Sequence, residues 1–152
     1  MPTLTRTHQI LVHVPMQKAF DYVSDLTRHP EWSGGELKIE ALTPGPIGVG
    51  KEYRSRGEVG IQKERPNTVQ VTEYEPPRQF AFAANDPDFG TVRHAFTFME
   101  HDNHVLIQRM MTVHLNPLLA FLFRFFIYPW IGRPSMNKAM ARLKTRLEEN
   151  SA

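Results

Sequence analysis

The stretch that decides the fold is residues 116–128, Asn-Pro-Leu-Leu-Ala-Phe-Leu-Phe-Arg-Phe-Phe-Ile-Tyr, which runs on through Pro129-Trp130-Ile131-Gly132-Arg133-Pro134 into residues 135–149. Asn116 is placed to cap the first backbone N–H groups of a helix, and Pro117 suits the first helical position. The later part puts Met136, Met140, Leu143 and Leu147 on one face and Lys138, Arg142 and Arg146 on another, the pattern of a half-buried helix. The earlier part is apolar almost all round, so it calls for cover on both sides or for a membrane. As a helix, Pro117 to Ile131 covers only ~22 Å, short of the ~30 Å of a bilayer core, and Arg124 interrupts it. A transmembrane span is therefore not expected. Two compatible readings remain. One is a core helix with a wide contact surface. The other is a lid whose aromatic face, Phe121, Phe125 and Tyr128, borders a ligand cavity, with Leu118, Leu122 and Phe126 turned to loops or to a second subunit. Pro129 and Pro134 each remove a backbone donor, so the helix is expected in two parts with a bend between them.

The 152 residues suit one domain, 1–152, large enough to bury a core. Net charge is +2 and the pI about 9.0, with basic residues scattered over the chain, so no nucleic-acid surface is indicated. The absence of cysteine excludes disulfides and thiolate metal sites. The opening Met1-Pro2-Thr3-Leu4-Thr5-Arg6 has no apolar signal region, from which a cytoplasmic location is expected. Neither a metal nor a cofactor is called for.

Residues 7–14 alternate, with Ile10, Val12 and Val14 on one face and Gln9, Leu11 and His13 on the other, which predicts a half-buried strand. Pro15 then opens a short helix with the stripe Met16, Ala19, Phe20 and Val23. A second helical turn from Ser24-Asp25 is expected to end before Pro30. From residue 36 to 115 the pattern is strand after strand, 36–41, 51–59, 67–75, 78–84, 91–100 and 104–115. Pro-Gly and Gly-x-Gly turns, Pro76-Pro77 and His101-Asp102-Asn103 separate them. Consecutive strands with short turns make an antiparallel meander. Such a sheet must bury its apolar face, and the C-terminal helix is the one element large enough to cover it. The predicted class is α+β, a curved seven-stranded antiparallel sheet wrapped around a long C-terminal helix, with two short helices after the first strand. A cavity between sheet and helix is expected.

This order resembles the helix-grip fold of the START/SRPBCC superfamily, and the residues are most similar to its bacterial polyketide cyclase/dehydrase-like branch. The likeness lies in Val14-Pro15 with Ala19-Phe20-Asp21-Tyr22-Val23, and in Asp25 through Pro30-Glu31-Trp32. It continues in Pro46-Ile47-Gly48-Val49-Gly50-Lys51 and in Val71-Thr72-Glu73-Tyr74-Glu75-Pro76-Pro77-Arg78. These motifs span nearly the whole chain and are mainly structural, so the resemblance implies a fold more than an activity. It implies a pocket for lipids, sterols, quinones, hormones or polyketides, in a superfamily where only some members are enzymes.

Candidate chemistry is sparse. His101-Asp102-Asn103-His104 is turn chemistry and leaves most of a metal's ligands unsupplied. His94 shares the inward face of its strand with Val92, Phe96 and Phe98. It is either a hydrogen-bonded core histidine or a group that meets a ligand, and in the second case it could serve as an acid/base. The next strand has two registers. A two-residue turn at Asp102-Asn103 puts Ile107, Arg109, Met111 and Val113 on the His94 face. A three-residue turn puts Leu106, Gln108, Met110, Thr112 and His114 there. The first buries Arg109 and with it implies an anionic ligand head group. Trp32 is read as a structural anchor, with a pocket wall as its alternative. The candidate ligand-binding set is Tyr53, Phe82, His94, Phe96, Arg109, Phe121, Phe125 and Tyr128.

Three functions follow. The first is binding of a hydrophobic or aromatic small molecule, such as a lipid or polyketide, between sheet and helix. The second is a cyclase or dehydratase using His94. The third and weakest is lipid or quinone handling at a membrane surface through residues 118–128; membrane contact is otherwise not expected. A homodimer is compatible with all three.

Overall fold

A computed structural model describes residues 3–33, 37–59, 62–86 and 90–149. The chain forms β1 (Thr3–Val12), α1 (Met16–Ser24), a 3-10 turn (Leu26–Arg28) and α2 (Pro30–Ser33). Then come β2 (Leu37–Ala41), β3 (Glu52–Val59), β4 (Gln62–Glu75), β5 (Gln79–Asp86), β6 (Gly90–His101) and β7 (His104–His114). The C-terminal element is α3 (Pro117–Leu122), a π-helical stretch (Phe123–Gly132) and α4 (Arg133–Glu149). The strands form a single seven-stranded sheet in the order β1-β7-β6-β5-β4-β3-β2. The predicted α+β helix-grip architecture is the one observed. Register shifts between Val71 and Glu73 in β4 and between Gly57 and Val59 in β3 bend the sheet, since an extra residue on one strand increases local twist.

Ala139, Met140, Leu143 and Leu147 of α4 are buried against Phe20, Trp32, Phe80, Phe96 and Ile107. That cluster is the main core. Met111, Val113, Leu115, Ala120 and Tyr128 form a smaller one towards α3.

Four sequence expectations change. β1 begins at Thr3, not residue 7, and ends at Val12. Its inward row is Leu4, Arg6, His8, Ile10 and Val12, and two polar residues in that row hide the alternation. β4 begins at Gln62 rather than residue 67. The second helical turn does end before Pro30, at Arg28, but Pro30 then starts a further short helix, α2, where its missing N–H costs nothing. The C-terminal helix does not break at Pro129 and Pro134. In an α-helix the Pro129 ring would collide with the carbonyl four residues back. The wider i→i+5 winding of the π stretch moves that carbonyl aside and carries the helix through. Nor is this stretch core. Leu118, Phe121, Phe125, Phe126, Trp130 and Ile131 are all exposed. No helix among the described residues is long and apolar enough to cross a membrane.

Candidate functional site

The β6–β7 hairpin turns in two residues, with Asp102 and Asn103 at φ 46° and 65° and His101 paired with His104. Both positive φ values define the tight turn that matches strand twist. This settles the register. Arg109 lies opposite Phe96, points inward and is 4 % exposed.

Three adjacent strands each have an inward apolar run that ends at a polar residue. On β1 the run Val12, Ile10 meets His8. On β7 Val105, Ile107 meets Arg109. On β6 Phe98, Phe96 meets His94. His8 and Arg109 are register partners, as are Arg109 and Phe96. A polar belt therefore crosses the concave face, with the main core on one side and the smaller cluster on the other.

The segment between α1 and β2 covers this belt. Asp25 Oδ1 accepts from the Thr27 N–H at 3.1 Å and holds the 3-10 turn. Arg28 Nε donates to Glu31 Oε2 at 2.9 Å across the start of α2. Between them the His29 carbonyl accepts from the Ser33 N–H at 3.0 Å. His29 and Trp32 are thereby turned inward and stacked edge to face at 4.4 Å. Phe82 meets His29 at 5.8 Å and His94 at 5.1 Å.

Arg109 sits in the middle. Its guanidinium carbon is 5.5 Å from the Trp32 ring and 5.4 Å from the Phe96 ring. Its Nε and Nη2 donate to His94 Nδ1 at 3.3 and 3.2 Å. Nη1 has no hydrogen-bond partner among the described residues, nor do Trp32 Nε1 and His29 Nδ1 beside it. Since Nδ1 of His94 accepts, its proton is on Nε2. Burial, then Arg109, then His29 hold the His94 pKa well below the usual range. Burial, then Arg109, push His29 down to about 3. Burial lowers Arg109 to about 10, which leaves it cationic at neutral pH. The belt and its cover thus carry one buried positive charge, three imidazoles, His8, His29 and His94, each shifted towards its neutral form, and flanking aromatic planes.

A second contact ties the belt to the helix. Tyr128 Oη donates to His8 Nε2 at 2.7 Å, and His8 Nδ1 donates to Asn137 Oδ1 at 2.9 Å. Gly132 leaves room for this, because a Cβ there would lie 3.0 Å from Tyr128 Cδ2. Tyr128→Phe would strand a buried acceptor on His8, for an expected loss of ~1–3 kcal/mol. Thermal unfolding checks this, and an unchanged midpoint would mean the bond contributes nothing to stability.

Of the residues singled out from sequence, Phe82, His94, Phe96 and Arg109 come together, and Tyr128 reaches the edge of the group. Tyr53 is buried in the main core, its phenol pushed up to about 12 chiefly by burial, with no ring contact to the belt among the described residues. Phe121 and Phe125 stack on each other at 5.0 Å and face outward. They do not share a face with Tyr128, because the π stretch begins between them and rotates Tyr128 inward onto Phe123 at 5.9 Å. His8 and His29 were missed, and Trp32 was read as an anchor with a place beside the pocket only as its alternative. His8 had a signal in its period-two spacing from Ile10, whereas His29 lies in irregular backbone and had none.

Residues 3–148 match the sequence model of the polyketide cyclase / dehydrase and lipid transport family. The chain belongs to that family. No curated protein sequence matches it. Among solved structures it is similar to TTHA0849 from Thermus thermophilus, with TM-score 0.73, 16 % identity, and coverage of 99 % of this chain and 100 % of that one. It is similar to norcoclaurine synthase of Thalictrum, a point mutant in complex with a transition state analogue, at TM-score 0.73 and 15 % identity, covering 99 % and 98 %. It also resembles the di-domain ARO/CYC BexL of the BE-7585A biosynthetic pathway, at TM-score 0.72 and 13 % identity, over 96 % of this chain and 50 % of that one. At these identities the likeness establishes the fold of the family member and not its ligand.

Proposed function

We propose that the protein binds an aromatic or polycyclic small molecule bearing an anionic oxygen, a carboxylate, phenolate or enolate, on the concave face of the sheet. The oxygen sits on Arg109 and the rings lie among Trp32, Phe82 and Phe96. One observation carries this reading: Arg109 is buried with no acidic partner among the described residues and with Nη1 unbonded. A buried guanidinium is strongly disfavoured unless an anion pairs with it. Its planar fork matches a carboxylate or enolate oxygen pair.

Binding takes precedence over acid/base catalysis by His94. Nδ1 of that ring is occupied by Arg109, and its pKa is held far from the neutral range where a proton carrier works well.

Isothermal titration with 2-naphthoate and its neutral isostere 2-naphthamide at pH 7 tests the reading. A charge-assisted bond contributes ~1.5–3 kcal/mol, so naphthoate should bind at least ~10-fold tighter. Equal affinities would show that the site does not read charge. Native mass spectrometry of the purified protein should release an acidic or enolic aromatic molecule, and a purely apolar lipid would count against the assignment.

A further inference from the structure

The outer face of the C-terminal helix is the largest feature the ligand site does not use. Leu118, Phe121, Phe125, Phe126, Trp130 and Ile131 are exposed within fourteen residues, Trp130 by 77 %. Single exposed apolar residues are ordinary, but a run of this kind marks a contact surface. Its charge identifies the partner. From Leu115 to Leu147 there is no acidic residue and there are six basic ones: Arg124, Arg133, Lys138, Arg142, Lys144 and Arg146. The whole chain has 18 basic and 16 acidic residues, so the remainder holds 12 and 16. With Glu148 and Glu149 at its C-terminal end, the helix carries +4 and everything else −2. All six basic side chains are exposed.

We infer that this face docks on an anionic lipid surface. The aromatic side chains enter the headgroup boundary, and Arg124 and Arg133 meet the headgroups. Apolar aromatic residues flanked by basic charge, on a helix not long and apolar enough to span, suit an interfacial helix. At the end of the π stretch, Arg6 and Arg133 line a cleft of about 440 Å³ with Tyr128 and Asn137, where an anionic headgroup fits. A second copy of the chain is a poorer occupant. A two-fold contact through this face would set two helices of net charge +4 against each other, with no acidic residue between Leu115 and Leu147 to pair with them. Lipid handling at a membrane surface through residues 118–128 was the weakest of the three readings of the sequence, and the exposure of that segment favours it.

Flotation with vesicles of phosphatidylcholine, with and without 30 % phosphatidylglycerol, tests the inference on the full chain. Binding to the anionic vesicles should exceed binding to neutral ones at least tenfold, and fall at least tenfold between 0.1 and 0.5 M salt. Phe125→Ser with Trp130→Ser should abolish it while the protein stays folded and still binds naphthoate. Arg124→Glu with Arg133→Glu should remove the preference for anionic lipid. Of the chain's two tryptophans only Trp130 is exposed, so vesicles should shift its emission to the blue, and Trp130→Phe should remove the shift but keep binding. Equal binding to neutral vesicles, no binding, or a dimer in sedimentation that the serine variant dissolves would each overturn the inference.

Discussion

Replacing Arg109 with methionine is expected to make the protein more stable and to abolish its preference for anionic ligands. The guanidinium is 4 % exposed and its surroundings compensate it only in part. It has one acceptor, His94 Nδ1, and two aromatic faces at 5.4 and 5.5 Å. A desolvated cation–π contact contributes on the order of 2 kcal/mol, against several kcal/mol for desolvating the charge. Methionine has similar reach, packs well against Trp32 and Phe96, and brings no charge to bury. Swapping buried charge for a well-packed apolar side chain commonly stabilises by ~1–4 kcal/mol. At ~2–4 °C per kcal/mol for a chain of this size, the melting midpoint should rise by several degrees. Naphthoate affinity should fall at least ~10-fold, the loss of a charge-assisted bond, while naphthamide binding should stay the same. Arg109→Lys should keep part of the preference and lose the forked geometry. A methionine variant that melts earlier and still prefers naphthoate would make Arg109 a structural residue and remove the basis of the proposed function.

The parts of this site that were legible in the sequence are those where a periodic pattern meets a residue that violates it. His94 stood out because Val92, Phe96 and Phe98 surround it at period two. Arg109 was conditional, because Asp102-Asn103 is compatible with two turn lengths and a one-residue slip exchanges the faces of β7. Only the paired positive φ values decide it. The fold was more legible than the site, since Met140, Leu143 and Leu147 recur at helical spacing and the strands are separated by strong turn residues. The π stretch was not. A segment apolar all round has no face to read, and projecting it at 3.6 residues per turn grouped Phe121, Phe125 and Tyr128 wrongly. His29 and Trp32 take their place from local hydrogen bonds around Asp25 and Glu31, in a short irregular segment with no periodic pattern to mark its inward side.

Acid should unfold this protein well before its carboxylates are titrated out, with the loss beginning below pH 6.5. His29 and His94 are both held below the ordinary histidine value of 6.5, by burial first and by Arg109 second, His29 to about 3. His8 is shifted the same way, mainly by burial. The charged neighbour these rings share is the Arg109 cation, and no carboxylate faces His29 or His94 among the described residues. The sign follows from proton counting. Below pH 6.5 the unfolded chain protonates these rings and the folded one does not, so protons favour unfolding. Their contribution is complete above 6.5 and is lost as pH falls below it, for His29 down to about 3. Each such ring contributes a slope of ~1.4 kcal/mol per pH unit. For His29 this amounts to ~3 kcal/mol by pH 4.5, a sizeable part of the ~5–15 kcal/mol of a whole domain, and His94 and His8 act in the same direction. The melting midpoint should drop by at least ~6 °C between pH 7 and 4.5. His94→Gln keeps an acceptor for Arg109 and removes one titrating ring, so it should lower the slope, and His29→Phe should do the same. Denaturant titrations at pH 7, 5.5 and 4.5 on the three proteins give the slopes directly. Identical pH dependence in wild type and both variants would mean that neither histidine is held neutral in the folded state, and the belt would then have to carry more than the single charge of Arg109.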